Sequence, residues 1–182
     1  MSDNDQSDLP ERYDRPTVGD VEAIWEAWSD AEMNCLYWAD MARRCSTLDR
    51  WTNISVAVFS SSTVASLLTG VHALSVSVSL VAAVIAITQS WHNYGGSAVD
   101  MAQIAAKFGE IELEYEMLWR SMDTETTLPR ERVMSKYQEL RKGEGSLTER
   151  TNKYTINNRL REKCYNTVTQ RRAHFSLRAG GQ

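Results

Sequence analysis

Four glutamates alternate along one stretch of the chain, at Glu110, Glu112, Glu114 and Glu116. Paired carboxylates hold di-metal centres in some helical bundles, where Glu-x-x-His motifs supply the remaining ligands. No such motif accompanies these glutamates. We therefore interpret them as the solvated face of a helix, and we predict neither a metal nor another cofactor.

The other chemistry-bearing residues are scattered. His72, His92 and His174 lie far apart, and Gly95-Gly96 has no following Lys-Ser/Thr pair of the kind that a phosphate-binding loop needs. We interpret His92 as a residue at a membrane surface, with pH sensing as the alternative. The sequence predicts no catalytic site, so we expect that the protein is not an enzyme.

The most unusual feature is a charge-free run. No Asp, Glu, Lys or Arg occurs between Arg50 and Asp100, although 24% of the chain is charged. The run divides into apolar segments at 51–68 and 71–91, separated by Thr69-Gly70. Each segment, as a helix rising 1.5 Å per residue, is about long enough to cross a ~30 Å hydrocarbon layer. The run predicts a two-helix transmembrane hairpin.

Small and polar residues recur at helical spacing in both segments. Such rows allow helices to approach closely in lipid. Alternatively, they form the water-facing wall of a pore, which requires several copies of the chain. We predict a homo-oligomer with small residues at its helix contacts. The residues are Ala57, Ser61 and Ala65 in the first segment, and His72, Ser75, Ser79, Ala82, Ala86 and Ser90 in the second.

A short alternation gives a competing prediction. Ser75 to Leu80 alternates with period two, as a half-buried strand does. An isolated β-hairpin would leave unpaired edges in lipid, however. We therefore predict an all-α fold, with long amphipathic cytoplasmic helices before and after the hairpin.

Capping signals mark the flanking helices. Thr17 with Asp20 predicts the start of a helix that runs into the first span. Ser97 with Asp100 predicts the start of an amphipathic helix that reaches about Met122. We predict a disordered acidic arm at 1–16, a helical core at 17–122 and a basic helical tail at 123–182.

The tail divides into two predicted helices. The first spans about 129–142 and ends before Gly143-Glu144-Gly145. The second starts at Ser146, with Glu149 as its capping partner, and reaches about Arg172.

Charge is unevenly placed. Residues 1–50 hold 5 basic and 12 acidic residues, a balance of -7, whereas residues 128–182 hold 13 basic and 5 acidic residues, a balance of +8. The two ends attract each other, or the tail receives an anionic signal or partner protein. The residues considered for that role are Arg130, Arg132, Lys136, Arg141 and Lys142, with Gly95 and Gly96 as a hinge.

The flanks of the hairpin predict its orientation. Trp51, Trp91 and Tyr94 lie at one end of the two spans, where aromatic residues favour the headgroup level. Basic residues also occur only on that side. The positive-inside rule then puts both termini in the cytoplasm and the hairpin in an inner membrane, in contact with lipid. Three cysteines without metal spacing suit a reducing compartment.

This layout resembles the SLATT family of two-transmembrane effector domains. The similarity covers roughly residues 21–172, and the stretches 36–44 (LYWADMARR) and 154–159 (YTINNR) share its character. The resemblance implies an effector of bacterial antiviral defence that oligomerises and permeabilises the inner membrane. Its trigger would be a cyclic nucleotide or a signalling partner protein, and no nucleic-acid polymer is expected. The alternatives are a membrane anchor and interaction scaffold without a pore, and a soluble bundle with a buried hairpin.

Overall fold

The computed structural model of the chain describes residues 14–68, 72–124 and 128–179. Side chains at 63–68, 72–75, 88–92, 123–124 and 174–179 lie outside that description, as does nearly all of the predicted acidic arm. Within the described ranges the protein is all-α, as the sequence predicts. The helices are α1 (Val18–Leu68), α2 (His72–His92), α3 (Tyr94–Thr124), α4 (Arg130–Thr151) and α5 (Asn158–Ala179).

The start of α1 confirms the predicted capping box. The backbone N–H of Asp20 donates to Thr17 Oγ1 at 3.2 Å, and the backbone N–H of Thr17 donates to Asp20 Oδ2 at 2.8 Å. Each side chain thus satisfies one backbone donor that the first helical turn leaves without a partner.

The alternation at Ser75 to Leu80 does not form a strand. Residues 72–92 are helical throughout, as the longer apolar run predicts. The two predicted spans fall on the last part of α1 and on α2. Over the residues that the structure describes, no helix is both long enough and apolar enough to span a bilayer.

The boundary between α2 and α3 corrects one predicted helix start. The helix predicted to begin at Ser97 begins at Tyr94, and Gly95 and Gly96 lie in its first turn. The break is instead at Asn93, whose φ of 39° is left-handed. Its carbonyl accepts from the Ser97 N–H at 3.0 Å, and its Oδ1 accepts from the Gly96 N–H at 3.3 Å. Asparagine tolerates this backbone better than most residues, so it terminates one helix and caps the next.

A second correction concerns the tail. The predicted break at Gly143-Glu144-Gly145 is wrong, because α4 runs through it to Thr151. Leu140, Glu144 and Leu147 are buried on one face of the continuous helix. Two glycines cost about 2 kcal/mol of helix propensity, and burying a leucine recovers roughly 1.5–3 kcal/mol. The chain breaks after Thr151 instead, and α5 is capped by Asn157, whose Oδ1 accepts from the Leu160 N–H at 3.1 Å.

The described residues form two compact units. The first consists of the described residues up to Leu36 and from Ala106 onward; the second consists of those within Tyr37–Ala105. In the first unit, α1, α3 and α4 share an apolar core. Its buried members are Ile24, Ala27, Ala31, Tyr115, Leu118, Val133 and Leu140.

The second unit has its own smaller buried set. The Sγ of Cys45 lies 3.8 Å from the Sδ of Met101, which brings α1 and α3 together. Tyr37 and Trp38 are buried with their rings edge to face at 5.0 Å. The remaining buried residues of this unit are Ala42, Ala98, Ile104 and Ala105.

Candidate functional site

The charge-free segment forms an out-and-back pair of helices. A Cβ placed on Gly95 would lie 3.3 Å from Asp49 Oδ1, so the chain returns beside the point from which it departed. Between those positions lie the end of α1, a three-residue connection at 69–71 outside the described residues, and α2. Two helices of about 20 residues, each about 30 Å long, account for the return as a hairpin.

Large apolar side chains on this hairpin face outward. Trp51 is 64% exposed, Val76 is 69% exposed and Leu80 is 67% exposed. Large exposed apolar patches are uncommon on soluble monomers. The other exposed members on the hairpin are Ile54, Val58, Val81, Val84 and Ile87.

Most of the described small residues that were predicted to pack or to line a pore are exposed as well. Ala57, Ser61, Ser79 and Ala86 are exposed, and Ala82 is half-buried. The Ser61 hydroxyl donates to the Ala57 carbonyl at 2.8 Å, and the neighbouring Ser62 does the same one turn back. The side chains of Ala65, His72, Ser75 and Ser90 lie outside the described residues.

The basic segment is largely engaged with carboxylates. Arg130 Nε donates to Asp20 Oδ2 at 2.6 Å, and this bond lowers the pKa of Asp20 while raising that of Arg130. Lys136 Nζ lies 2.7 Å from Glu114 and 3.2 Å from Glu139, and the hydrogen bond that it donates to Glu114 raises the pKa of the lysine. Arg141 pairs with Glu144, while Arg132 and Lys142 are exposed. Much of the segment's charge is therefore already neutralised.

These pairs confirm the attraction between the acidic front and the basic tail. Besides the Asp20 contact, the Arg130 backbone N–H donates to the Asp14 carbonyl at 2.7 Å. That bond satisfies a donor at the start of α4, where Pro129 provides no side-chain cap. Farther along, Arg171 and Arg172 of α5 both contact Glu32 of α1.

Arg172 is the centre of the most unusual constellation in the first unit. Its side chain is 8% exposed, and its Nε donates to Glu32 Oε2 at 2.9 Å. The guanidinium carbon lies 3.9 Å from the Trp28 ring centroid and 4.9 Å from that of Trp25. Trp119 packs against both tryptophans, at 5.0 and 6.1 Å between centroids. A desolvated cation over an aromatic face contributes about 2 kcal/mol.

The hydrogen bonding of this arginine is incomplete. Its Nη2 also lies 2.9 Å from the Glu32 oxygen that accepts from Nε, whereas Nη1 has no hydrogen-bond partner among the residues that the structure describes. A buried donor without a partner costs about 1–3 kcal/mol, and more for a charged group. The guanidinium is therefore paired with Glu32 through two of its nitrogens and enclosed on the side of the third.

A cavity of about 660 Å³ lies beside that guanidinium, between α1 and α5. Cavities of this size hold small molecules. Arg172 is the buried cation of the lining, which also includes two carboxylates, three hydroxyl groups and two aromatic side chains. The lining residues are Trp25, Glu26, Ser29, Asp30, Tyr165, Val168, Thr169, Arg172 and Ala173.

A second buried polar group lies in the core around Tyr115. Burial raises the pKa of the Tyr115 hydroxyl well above its usual range, and the charge of Glu144 adds to that effect. Burial also raises the pKa of Glu144, although its pairing with Arg141 opposes the change. The two residues come from α3 and α4, and neither lines the cavity beside Arg172.

The four alternating glutamates do not converge. Glu110 pairs with Lys107, Glu114 with Lys136 and Glu116 with Arg120. Burial raises the pKa of Glu112, and the charge of Glu32 raises it further. Over the part of the chain that the structure describes, no group of three or more His, Cys, Asp or Glu side chains is placed to hold a metal ion.

The spacing of Trp25 and Trp28 puts both on one helix face, but nothing in the sequence associates them with Arg172. The contact joins residues about 140 positions apart, and α5 resembles an ordinary solvated helix with thin apolar content. The available signal was a pair of adjacent arginines beside the buried positions Cys164 and Val168.

Comparisons of the chain with protein-family models, curated proteins and solved structures gave no match.

Proposed function

We propose that this protein is a membrane effector whose charge-free hairpin enters the inner membrane, with both termini in the cytoplasm. On a nucleotide or partner signal it oligomerises and permeabilises that membrane. The observation that carries the proposal is the outward-facing apolar surface of a hairpin without a single formal charge between Arg50 and Asp100. Lipid or further copies of the chain would cover this surface.

The polar side chains on the hairpin support its entry into lipid. Ser61 and Ser62 each donate to a backbone carbonyl one turn earlier, and Thr52 donates to the Leu48 carbonyl at 2.7 Å. A hydroxyl that bonds to its own helix no longer needs water, so its transfer into hydrocarbon is less costly. The defence role rests on the resemblance to SLATT effector domains.

One observation favours the second candidate, a membrane anchor and scaffold without a pore. The Ser61 and Ser62 hydroxyls are engaged with their own helix, so their donors are not offered to water in a pore lumen. In that case the small residues pack helices together and the membrane stays sealed. The two candidates share the hairpin and differ only in permeability.

The first experiment tests membrane insertion and orientation. Membranes from expressing cells are washed with alkaline carbonate, and a Gly70→Cys variant is labelled with an impermeant thiol reagent on intact inner-membrane spheroplasts. The proposal expects the protein in the washed membranes and labelling at position 70 from outside. Release by carbonate would rule out both membrane candidates, and labelling only after lysis would reverse the orientation.

The second experiment separates the two candidates. Purified protein is reconstituted in dye-loaded vesicles, and the double variant Ser79→Leu/Ala86→Leu is compared with Val76→Leu/Val84→Leu on the same helix. A permeabilising effector should release dye and lose this activity in the first variant only. Absence of release by the wild type when its activating signal is present would leave the scaffold as the function.

A further inference from the structure

Helix α5 is attached to the first unit by a contact unlike those that join α1, α3 and α4. Among the described residues, the shared apolar core takes its buried members from those three helices and none from α5. The buried positions of α5 instead recur every fourth residue and end on a charged side chain: Leu160, Cys164, Val168 and Arg172. We propose that α5 is a latch, held closed by the Arg172–Glu32 pair, that opens independently of the other helices and uncovers Trp28.

The contact between α5 and α1 is incompletely packed. A cavity of about 660 Å³ lies between the two helices, and Tyr165 beside it is 59% exposed. Protein interiors rarely contain voids larger than a water molecule, because the atoms around a gap lose their dispersion contacts. Apolar packing therefore holds α5 weakly, and the rest of its attachment is polar.

Arg172 provides that polar attachment. Its Nε donates to Glu32 at 2.9 Å, and its guanidinium carbon lies 3.9 Å from the Trp28 ring centroid. The neighbouring Arg171 faces the same glutamate at 3.5 Å. Desolvation offsets much of the attraction within a buried ion pair, but removing one partner leaves an uncompensated buried charge. The attachment therefore depends on both members of the pair.

The helices beneath α5 have a core of their own. Ile24 of α1, Tyr115 of α3 and Val133 of α4 are fully buried in one cluster that includes no α5 residue among those described. Trp28 also contacts Trp119 of α3, at 6.1 Å between ring centroids. Proteins open in cooperative units whose stability follows their apolar contacts. We therefore expect α5 to open as one such unit while α1, α3 and α4 stay packed.

Amide hydrogen exchange of the purified full-length protein tests the latch. We expect the α5 amides near Val168 to exchange at least about tenfold faster than the α4 amides near Leu140, with little dependence on low urea concentrations. Local opening exposes little surface and global unfolding exposes most of it, so the urea dependence separates the two. Equal exchange rates in α5 and α4 would overturn the proposal. The inference goes beyond the proposed function, because it requires neither membrane insertion nor oligomerisation.

A cysteine on α5 gives a second measurement. Cys164 is 7% exposed, so a thiol reagent should modify it mainly when α5 opens. Glu32→Gln should raise its modification rate at least about tenfold, because the substitution leaves Arg172 buried without its charge partner. Mass spectrometry of the digested protein identifies the modified cysteine. Glu22→Gln, exposed on the same α1 helix, is the matched control and should be modified at the wild-type rate.

Two results would refute the role of the ion pair. Equal modification rates in Glu32→Gln and Glu22→Gln would show that the pair does not hold α5 closed. Exchange in α4 that accelerates by the same factor as modification of Cys164 would show that Glu32→Gln destabilises the whole unit. Either result leaves the membrane proposal intact.

Discussion

Arg130 Nε donates to Asp20 Oδ2 at 2.6 Å, and this bond joins residues 110 positions apart. Asp20 also caps the first turn of α1 through Thr17. The Asp20 side chain is 11% exposed and that of Arg130 is 41% exposed. One carboxylate thus links the start of α1 to the start of α4.

We expect Arg130→Gln to lower the free energy of unfolding at neutral pH. The Arg130 hydrogen bond depresses the pKa of Asp20 below its ordinary value of 3.8 in the folded state. A carboxyl group whose pKa is lower in the folded state stabilises that state. This stability is fully present above the pKa of the unfolded state and disappears as the pH falls through the pKa of the folded state. The difference between the variant and the wild type should therefore be constant above about pH 5 and shrink below about pH 4.

Urea titrations at several pH values measure that difference. Arg132→Gln is the control, because Arg132 is exposed two positions away on the same helix. Equal stability of the two variants at neutral pH would show that the contact with Asp20 contributes nothing.

Leu140 and Leu113 form a matched pair for testing the core. Leu140 is buried in the cluster around Tyr115 and Val133, whereas Leu113 is 59% exposed on α3. Leu140→Ala should cost roughly 2–5 kcal/mol through lost burial and a residual cavity. Leu113→Ala should change stability by less than about 0.5 kcal/mol. Urea unfolding followed by circular dichroism measures both, and similar losses in the two variants would contradict the observed core.

Glu144→Gln should stabilise the protein at neutral pH. Burial raises the pKa of Glu144, so its ionised form is disfavoured in the folded state despite the pair with Arg141. Because the pKa of this carboxyl group is higher in the folded state, the wild type loses stability as the pH rises from the pKa of the unfolded state through that of the folded state. The variant lacks this loss, so its advantage should grow over that range and be largest at neutral pH.

Unfolding of the wild type and Glu144→Gln at about pH 4 and pH 7 tests this sign. Glu139→Gln, an exposed glutamate on the same helix, controls for the loss of one negative charge. A variant that is less stable than the wild type at pH 7 would mean that the pair with Arg141 outweighs burial.

Asn93 should be the position that fixes the junction of α2 and α3. Asn93→Ala removes the cap for Gly96 and places alanine at a φ of 39°, so we expect a loss of about 1–3 kcal/mol. Asn93→Gly loses the side-chain cap but relieves the backbone, and its cost should be only a few tenths of a kcal/mol. Thermal unfolding ranks the variants, and equal losses would show that the left-handed backbone is unimportant there.

The helices themselves follow from local sequence. The Thr17–Asp20 capping box, the apolar periodicity of α3 and the long uncharged run each depend on neighbouring residues, so pattern alone predicted a helical chain with a hairpin segment. The attraction between the acidic front and the basic tail was also predictable, because it depends on net charge rather than on particular partners.

Tertiary packing decided what local signals could not. Buried Leu140, Glu144 and Leu147 carry α4 across two glycines that would otherwise end it, since burial outweighs helix propensity. The partners of Asp20 and Glu32 lie 110 and 140 residues away, and nothing in local spacing selects them from the many basic residues of the tail. Likewise, the spacing of Trp25 and Trp28 puts both on one face of α1. Only the packing of α5 against α1 places a buried arginine over their rings, with a cavity between the two helices.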